Sequence, residues 1–159
     1  MTTTLDEPSG RQRRGRRIAM SPDEVDAFLR EERTCRAGTI GPEGAAHVSP
    51  LWFAWDGTAL WLHSLIRAQR WTDLARDPRV TVLVDAGTEY QELRGVELSG
   101  RAEVVGEVPW TGAPDPVLDE PARLFGDKYV GGRFPSDGRH AWLRIAPEKV
   151  VSWDFRKAG

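Results

Sequence analysis

The chain has 159 residues, 40% hydrophobic and 29% charged, with 16 Gly, 11 Pro and a single cysteine, Cys35. That composition fits one domain around one core and excludes a two-domain dehydrogenase, a disulfide scaffold and a cysteine metal cage. It also lacks the ~20-residue apolar run of a membrane span and the apolar core of a secretory signal. The net charge of −2 comes from 22 basic and 24 acidic residues, and residues 1–17 hold five of the Arg (Arg11, Arg13, Arg14, Arg16, Arg17) against Asp6 and Glu7. The body therefore carries 17 basic against 22 acidic residues, a balance that argues against a nucleic-acid-binding face.

Residues 1–17, rich in Ser, Gly, Pro and Thr without apolar periodicity, read as a disordered basic leader, and 18–159 as a single domain. Ser21-Pro22-Asp23-Glu24 is a helix start, with Ser as N-cap, Pro at the first helical position and Glu closing a capping box. Val25, Phe28 and Leu29 then make one apolar stripe, and the helix is expected to run to about Glu32. A short strand over 34–40 and a turn at Gly41-Pro42-Glu43-Gly44 follow. Ala46 to Trp55 reads as one strand, Asp56-Gly57 as a hairpin turn, and Thr58 to Leu65 as the returning strand.

Between Arg67 and Asp77 the period changes to that of a short helix, stopped by Asp77-Pro78. Arg79 to Ala86 is a nearly continuous apolar strand, in which Val82 and Val84 belong to the core, and Leu93 to Glu107 is a longer one with Gly100 as a bulge or bend. A Pro/Gly loop (Val108 to Pro116) precedes a helix over Leu118 to Val130, which Gly131-Gly132 ends; Leu124, Phe125 and Tyr129 form its buried side. Two strands, Arg139 to Ile145 and Lys149 to Phe155, are joined by Ala146-Pro147-Glu148. Six to seven antiparallel strands with two or three short helices, and no repeated βαβ unit, define a mainly β (α+β) chain that buries its strands by closing into a barrel.

Phosphate loops, dinucleotide fingerprints, nucleophile elbows and H-E-x-x-H are absent. His47, His63 and His140 are far apart and read as barrel-wall or surface histidines, so no metal is expected. Cys35 lies among apolar neighbours and reads as an inert buried thiol. The informative stretch is Ser64-Leu65-Ile66-Arg67-Ala68-Gln69-Arg70-Trp71, a strand end running into a helix start. A hydroxyl, two guanidinium forks and helix-start N–H groups together suit an anion such as phosphate. His47-Val48-Ser49-Pro50-Leu51-Trp52-Phe53, a strand holding a proline and hence an edge or a bulge, supplies an aromatic wall for a phosphorylated aromatic cofactor.

The order of these motifs resembles a known family. T-x-G-P-x-G, then H-V-x-P-L-W-F-x-W-D-G, the Ser-to-Arg stretch, D-L-x-x-D-P-R-V-x-V-L-V-D and E-L-S-G-R-A-E-V-V are similar to the flavin/deazaflavin oxidoreductases of the split β-barrel superfamily. These are also called pyridoxamine 5'-phosphate oxidase-like, and the likeness is greatest to the actinobacterial branch using coenzyme F-420. The resemblance spans roughly Met20 to Arg156. It implies an FMN-binding-type split β-barrel and a homodimer with the site at the subunit interface, to which Lys128, Tyr129 or Trp153 of the second chain contributes. It implies that Ser64, Arg67, Gln69, Arg70 and Trp71 belong to the phosphate cradle, with the family's phosphate lysine falling on Arg70. It also implies that Val48, Ser49, Pro50, Leu51 and Trp52 lie along the tricyclic ring. The chain ends in Val151-Ser152-Trp153-Asp154-Phe155-Arg156-Lys157 rather than the Arg-rich, proline-containing ending of true pyridoxamine-phosphate oxidases, which argues against vitamin B6 synthesis.

The implied activity is hydride transfer from reduced coenzyme F-420 to an unsaturated or conjugated small molecule, with FMN as the alternative cofactor. No catalytic side chain stands out, and the proton comes from solvent, Arg67, His63 or the partner chain. A non-catalytic carrier of a cofactor, haem or other tetrapyrrole in the same barrel is the second reading.

Overall fold

The computed structural model describes residues 15–158, so the leader falls outside the described residues as far as residue 14. Its first helix, α1 (Pro22–Glu31), starts as its sequence dictates: Ser21 Oγ accepts from Glu24 N at 3.2 Å while Glu24 accepts from Ser21 N at 2.7 Å. Phe28 and Leu29 face inward. Seven strands follow: β1 (Cys35–Ile40), β2 (Ala46–Leu51), β3 (Phe53–Trp55), β4 (Leu60–Leu65), β5 (Arg79–Ala86), β6 (Arg94–Val105) and β7 (His140–Asp154). Two further helices, α2 (Gln69–Arg76) and α3 (Pro116–Phe125), lie between strands.

All seven strands pair antiparallel in the order β2-β1-β5-β6-β7-β4-β3. The two edges of this sheet, β2 and β3, are separated in sequence by Trp52 alone. One residue spans only ~3.5 Å, so the sheet has to curl until its edges nearly meet. They meet without pairing, which makes the barrel split along a seam at Trp52. The single expected strand over 46–55 is therefore two strands on opposite sides of that seam.

Inside the barrel lie Cys35, Ala37, Phe53, Leu60, Leu62, Val82, Val84, Val96, Leu98, Leu143 and Ile145, with α1 and α2 closing over them through Leu29 and Leu74. A second cluster, Ala54, Trp61, Trp110, Leu118, Phe125 and Trp142, lies between the outer wall and α3.

Two other expectations change. The two C-terminal strands are one bent strand, β7: opposite Ser99 and Gly100 the register jumps from Lys149 to Pro147, leaving Glu148 unpaired. The Pro that reads as a break is thus absorbed in a β-bulge. The helix expected over Leu118 to Val130 begins at Pro116, capped by Asp115 accepting from Val117 N, and passes after Phe125 into a wider π-type turn, Gly126–Val130. A Cβ on Gly126 would fall on Gly132 O, so the returning chain leaves no room for a side chain there. No described helix is long and apolar enough to cross a membrane.

Candidate functional site

The site is built around the seam. Alternation along β2 turns His47, Ser49 and Leu51 toward the interior and leaves Ala46, Val48 and Pro50 exposed. On β4, Leu60, Leu62 and Ser64 are buried. α2 begins a few residues beyond β4 and plugs that end of the barrel, with Arg70, Asp73 and Leu74 as its buried face. Arg70 is only 7% exposed. Its Nε donates to Ser64 Oγ at 3.1 Å and its Nη1 to Ser49 Oγ at 2.6 Å, so one guanidinium reaches both sides of the seam. No described carboxylate pairs with it. Burial pulls its pKa down from the ordinary guanidinium value, with no described carboxylate to offset the lost hydration.

Ser64 and Arg70 of the expected cradle therefore come together, joined by Ser49, which was expected along the ring, and the other expected cradle residues do not. Arg67 is exposed before α2 and makes no ion pair among the described residues. Gln69 donates from Nε2 to Asp73 Oδ1 at 2.8 Å, turning along the helix rather than toward Arg70. Trp71 is half-buried against the core. Ala68, at the N-cap position of α2, offers no side-chain acceptor to the first-turn amides.

Asp73 had no role assigned from sequence. Its buried carboxylate accepts from Thr39 Oγ1 at 2.8 Å and from Gln69, with Arg76 at 3.3 Å and His47 Nδ1 at 3.4 Å. The bonds from Gln69, Thr39 and Arg76 hold it below the usual carboxylate range. This network bolts α2 to β1 and β2 and so fixes where Arg70 enters. The D-L-x-x-D-P motif contained the residue, but a carboxylate on a short helix carries no signal of its partners on other strands, Thr39 and His47, which lie more than twenty residues away in sequence.

The outer side of the seam is held by the turn after α3. Tyr129 Oη accepts from Phe53 N at 3.1 Å and lies 2.7 Å from the carbonyl oxygens of Phe53 and Arg33. Its ring stacks on Trp52, centroids 4.1 Å apart and planes 6° from parallel. Lys128 donates from Nζ to Leu29 O and Phe53 O at 3.3 Å each and sits 3.9 Å over the Phe53 ring. Burial lowers its pKa to about 8. Lys128 and Tyr129, expected to reach a partner's site, are thus engaged at the seam of their own chain. Trp153 packs over Gly95.

Cys35 is fully buried and burial pushes its thiol up to about 12, so it stays protonated and unreactive. His63, a candidate proton donor, is on the face of β4 opposite Ser64. Burial, with His140 beside it, holds its imidazole neutral at a pKa of about 3, so it neither reaches the cradle nor carries an imidazolium proton to give.

A curled antiparallel sheet split at one residue, with a buried, unpaired arginine behind the seam, is the split β-barrel architecture of flavin-type oxidoreductases. The family model described as pyridoxamine 5'-phosphate oxidase matches residues 21–154, and the chain belongs to that family. Among solved structures it is similar to the conserved hypothetical protein Rv2991 from Mycobacterium tuberculosis. That match has 32% identity and a TM-score of 0.77 over 94% of this chain and 92% of the other. An F-420 reductase (22%, TM-score 0.59, 79% and 94% covered) and a FAD-binding protein from Mesorhizobium loti (22%, 0.63, 84% and 94%) share the fold. None of the curated proteins compared with it matches.

Proposed function

We propose that this chain is an F-420-dependent oxidoreductase that acts as a homodimer on an unsaturated or conjugated small molecule. The observation that carries the reading is Arg70: a cation 7% exposed, bonded to two serine hydroxyls and to no described carboxylate. A buried charge is costly unless it is paired, and an arginine fork with hydroxyls around it matches a phosphate. Ser49 and Ser64 would add their hydroxyls, and the uncapped first turn of α2 its N–H groups.

When bound, the coenzyme supplies the hydride chemistry. The chain binds and orients it. Arg70, Ser49 and Ser64 hold the phosphate, and the unpaired backbone edge of Val48 to Trp52 offers N–H and C=O groups to the ring. Tyr129 and Lys128 keep that edge in place by fixing Trp52 and Phe53. Exposed Arg67, at the entrance to α2, adds positive charge for an acidic coenzyme tail, which favours F-420 over FMN.

The dimer is supported by the apolar surface on and beside the open edge, where Val48 is 64% exposed, Trp52 46% and Leu65 39%. An unpaired strand edge with an apolar row seeks a partner. Titration of the protein with oxidised F-420 and, separately, FMN tests the cofactor. Saturable F-420 binding with weak FMN binding supports the reading, preference for FMN moves the protein to the flavin alternative, and binding of neither overturns the enzyme assignment. Sedimentation of a monomer at micromolar concentration would overturn the dimer.

A further inference from the structure

Among the described residues, two buried side-chain polar atoms have no hydrogen-bond partner: His63 Nε2 and Trp142 Nε1. They belong to directly opposed residues of β4 and β7, on the outer face of the barrel under α3, and their rings lie 4.6 Å apart. Trp142 is completely buried. Leaving such groups unsatisfied is costly, and the other buried polar side chains, Thr39, Ser64, Arg70, Asp73, Ser152 and Asp154, are all bonded. An indole N–H and an imidazole nitrogen orphaned in one place mark the seat of something polar.

The surrounding rings form a slot. Trp110 and Phe134 are within 20° of parallel with centroids 6.3 Å apart, and the His63 ring stands nearly perpendicular to both, at 89° and 79°. His63 is therefore the floor between two walls. Carbon atoms pack ~3.5–4.0 Å apart, so one planar ring needs the walls ~7–8 Å apart, and the loops that carry them have to part to admit it. Both walls stand on connecting loops, and both also line a cleft of about 780 Å³ between those loops and α3. The cleft's lining sets Arg123 and Arg133 against Asp115, Asp119 and Asp127, and Arg123 is answered by Glu120 and Asp127, so the mouth does not select an anion.

We propose that the cleft and slot form a second ligand site, separate from the Arg70 cradle. It takes a flat, uncharged heteroaromatic molecule with a hydrogen-bond acceptor beside a donor, such as a lactam edge. The ring enters between Trp110 and Phe134, its carbonyl accepts from Trp142 Nε1 and its N–H donates to His63 Nε2. His63 suits this role in the neutral tautomer that keeps its proton on Nδ1 and offers the Nε2 lone pair, burial having lowered its pKa to about 3. Ser64 and His63 point to opposite faces of β4, so the two sites stand on either side of one strand.

The test is an NMR titration of 15N-labelled protein, without coenzyme, using 2-quinolone and its apolar isostere naphthalene. The expected result is saturable 2-quinolone binding that shifts the Trp142 indole N–H signal, at least tenfold tighter than naphthalene. His63→Phe keeps an aromatic ring on the floor and removes the acceptor, so it should weaken 2-quinolone at least tenfold and leave naphthalene unchanged. If that variant fails to fold, the wild-type affinity ratio and the Trp142 signal decide alone. Equal affinity for the two probes, a Trp142 signal unmoved at saturation, or no 2-quinolone binding up to its solubility limit would overturn the proposal. None of these readouts depends on the coenzyme.

Discussion

Replacing Arg70 with methionine separates an anion site from a structural bolt. The stem of Arg70 and a methionine occupy similar space, so the packing behind the seam is kept. In the ligand-free protein the guanidinium makes two charge-assisted bonds, to Ser49 and Ser64, each worth about 1.5–3 kcal/mol. Against them stands the loss of its hydration, several kcal/mol for a buried ion, with no carboxylate to offset it. Ser64 keeps a partner in Leu65 O at 3.1 Å. The two terms nearly cancel, and Arg70→Met should change unfolding free energy by no more than about 1 kcal/mol in either direction. Binding is different, because a phosphate loses one charge-assisted contact of about 1.5–3 kcal/mol, a roughly 10- to 150-fold weaker affinity. Urea unfolding without ligand and with F-420 at 100 times its Kd reads both effects. Wild type should gain about 2.7 kcal/mol from the ligand and the variant a small part of that. A variant that loses more than about 3 kcal/mol without ligand yet binds F-420 as tightly as wild type would refute the argument. Arg70 would then be a tie across the seam and nothing more.

The buried imidazole sets a pH dependence. The His63 pKa is about 3 in the fold, below the ~6.5 of an unfolded chain, so below pH 6.5 the unfolded state binds the extra proton and stability falls, levelling off near pH 3. Between pH 7 and 4.5 wild type should lose about 2–3 kcal/mol more than His63→Phe, and parallel losses in urea titrations would contradict the burial argument. Tyr129→Phe strips the seam of the hydroxyl that bonds Phe53 N and O, at a cost of about 1–3 kcal/mol in thermal or urea unfolding. Gly126→Ala drives a Cβ onto the backbone oxygen of Gly132, which neither chain can relieve, and should destabilise by about 3 kcal/mol or more. Ser21→Ala removes the capping box of α1, for about 1 kcal/mol in the same assay.

The local elements were legible because their causes are local. Ser21, Pro22 and Glu24 cap α1 within one turn, Asp77-Pro78 stops α2, and Gly100 bends β6 where its register with β7 slips. The motif order carried the architecture, and with it the neighbourhood of Ser49, Ser64 and Arg70. What sequence reasoning misjudged were choices between equal local options. Pro147 reads as a strand break, yet a bulge against Gly100 lets β7 continue through it. Gln69 and Arg70 are adjacent polar residues on one helix start, and only the position of Asp73 draws the first along the helix while the barrel interior receives the second.

The chain's own pattern determined most of the strands, the caps and a basic, hydroxyl-bearing strand-to-helix junction, since periodicity and turn chemistry act over a few residues. Tertiary structure decided that the sheet closes at Trp52, that Tyr129 and Lys128 hold that seam from 76 and 75 residues away, and that two opposed residues, His63 and Trp142, face each other with their nitrogens unbonded. The physical reason is that a buried group's meaning lies in what surrounds it. Burial, pairing and loss of water arise only when distant segments pack, and no local pattern records them.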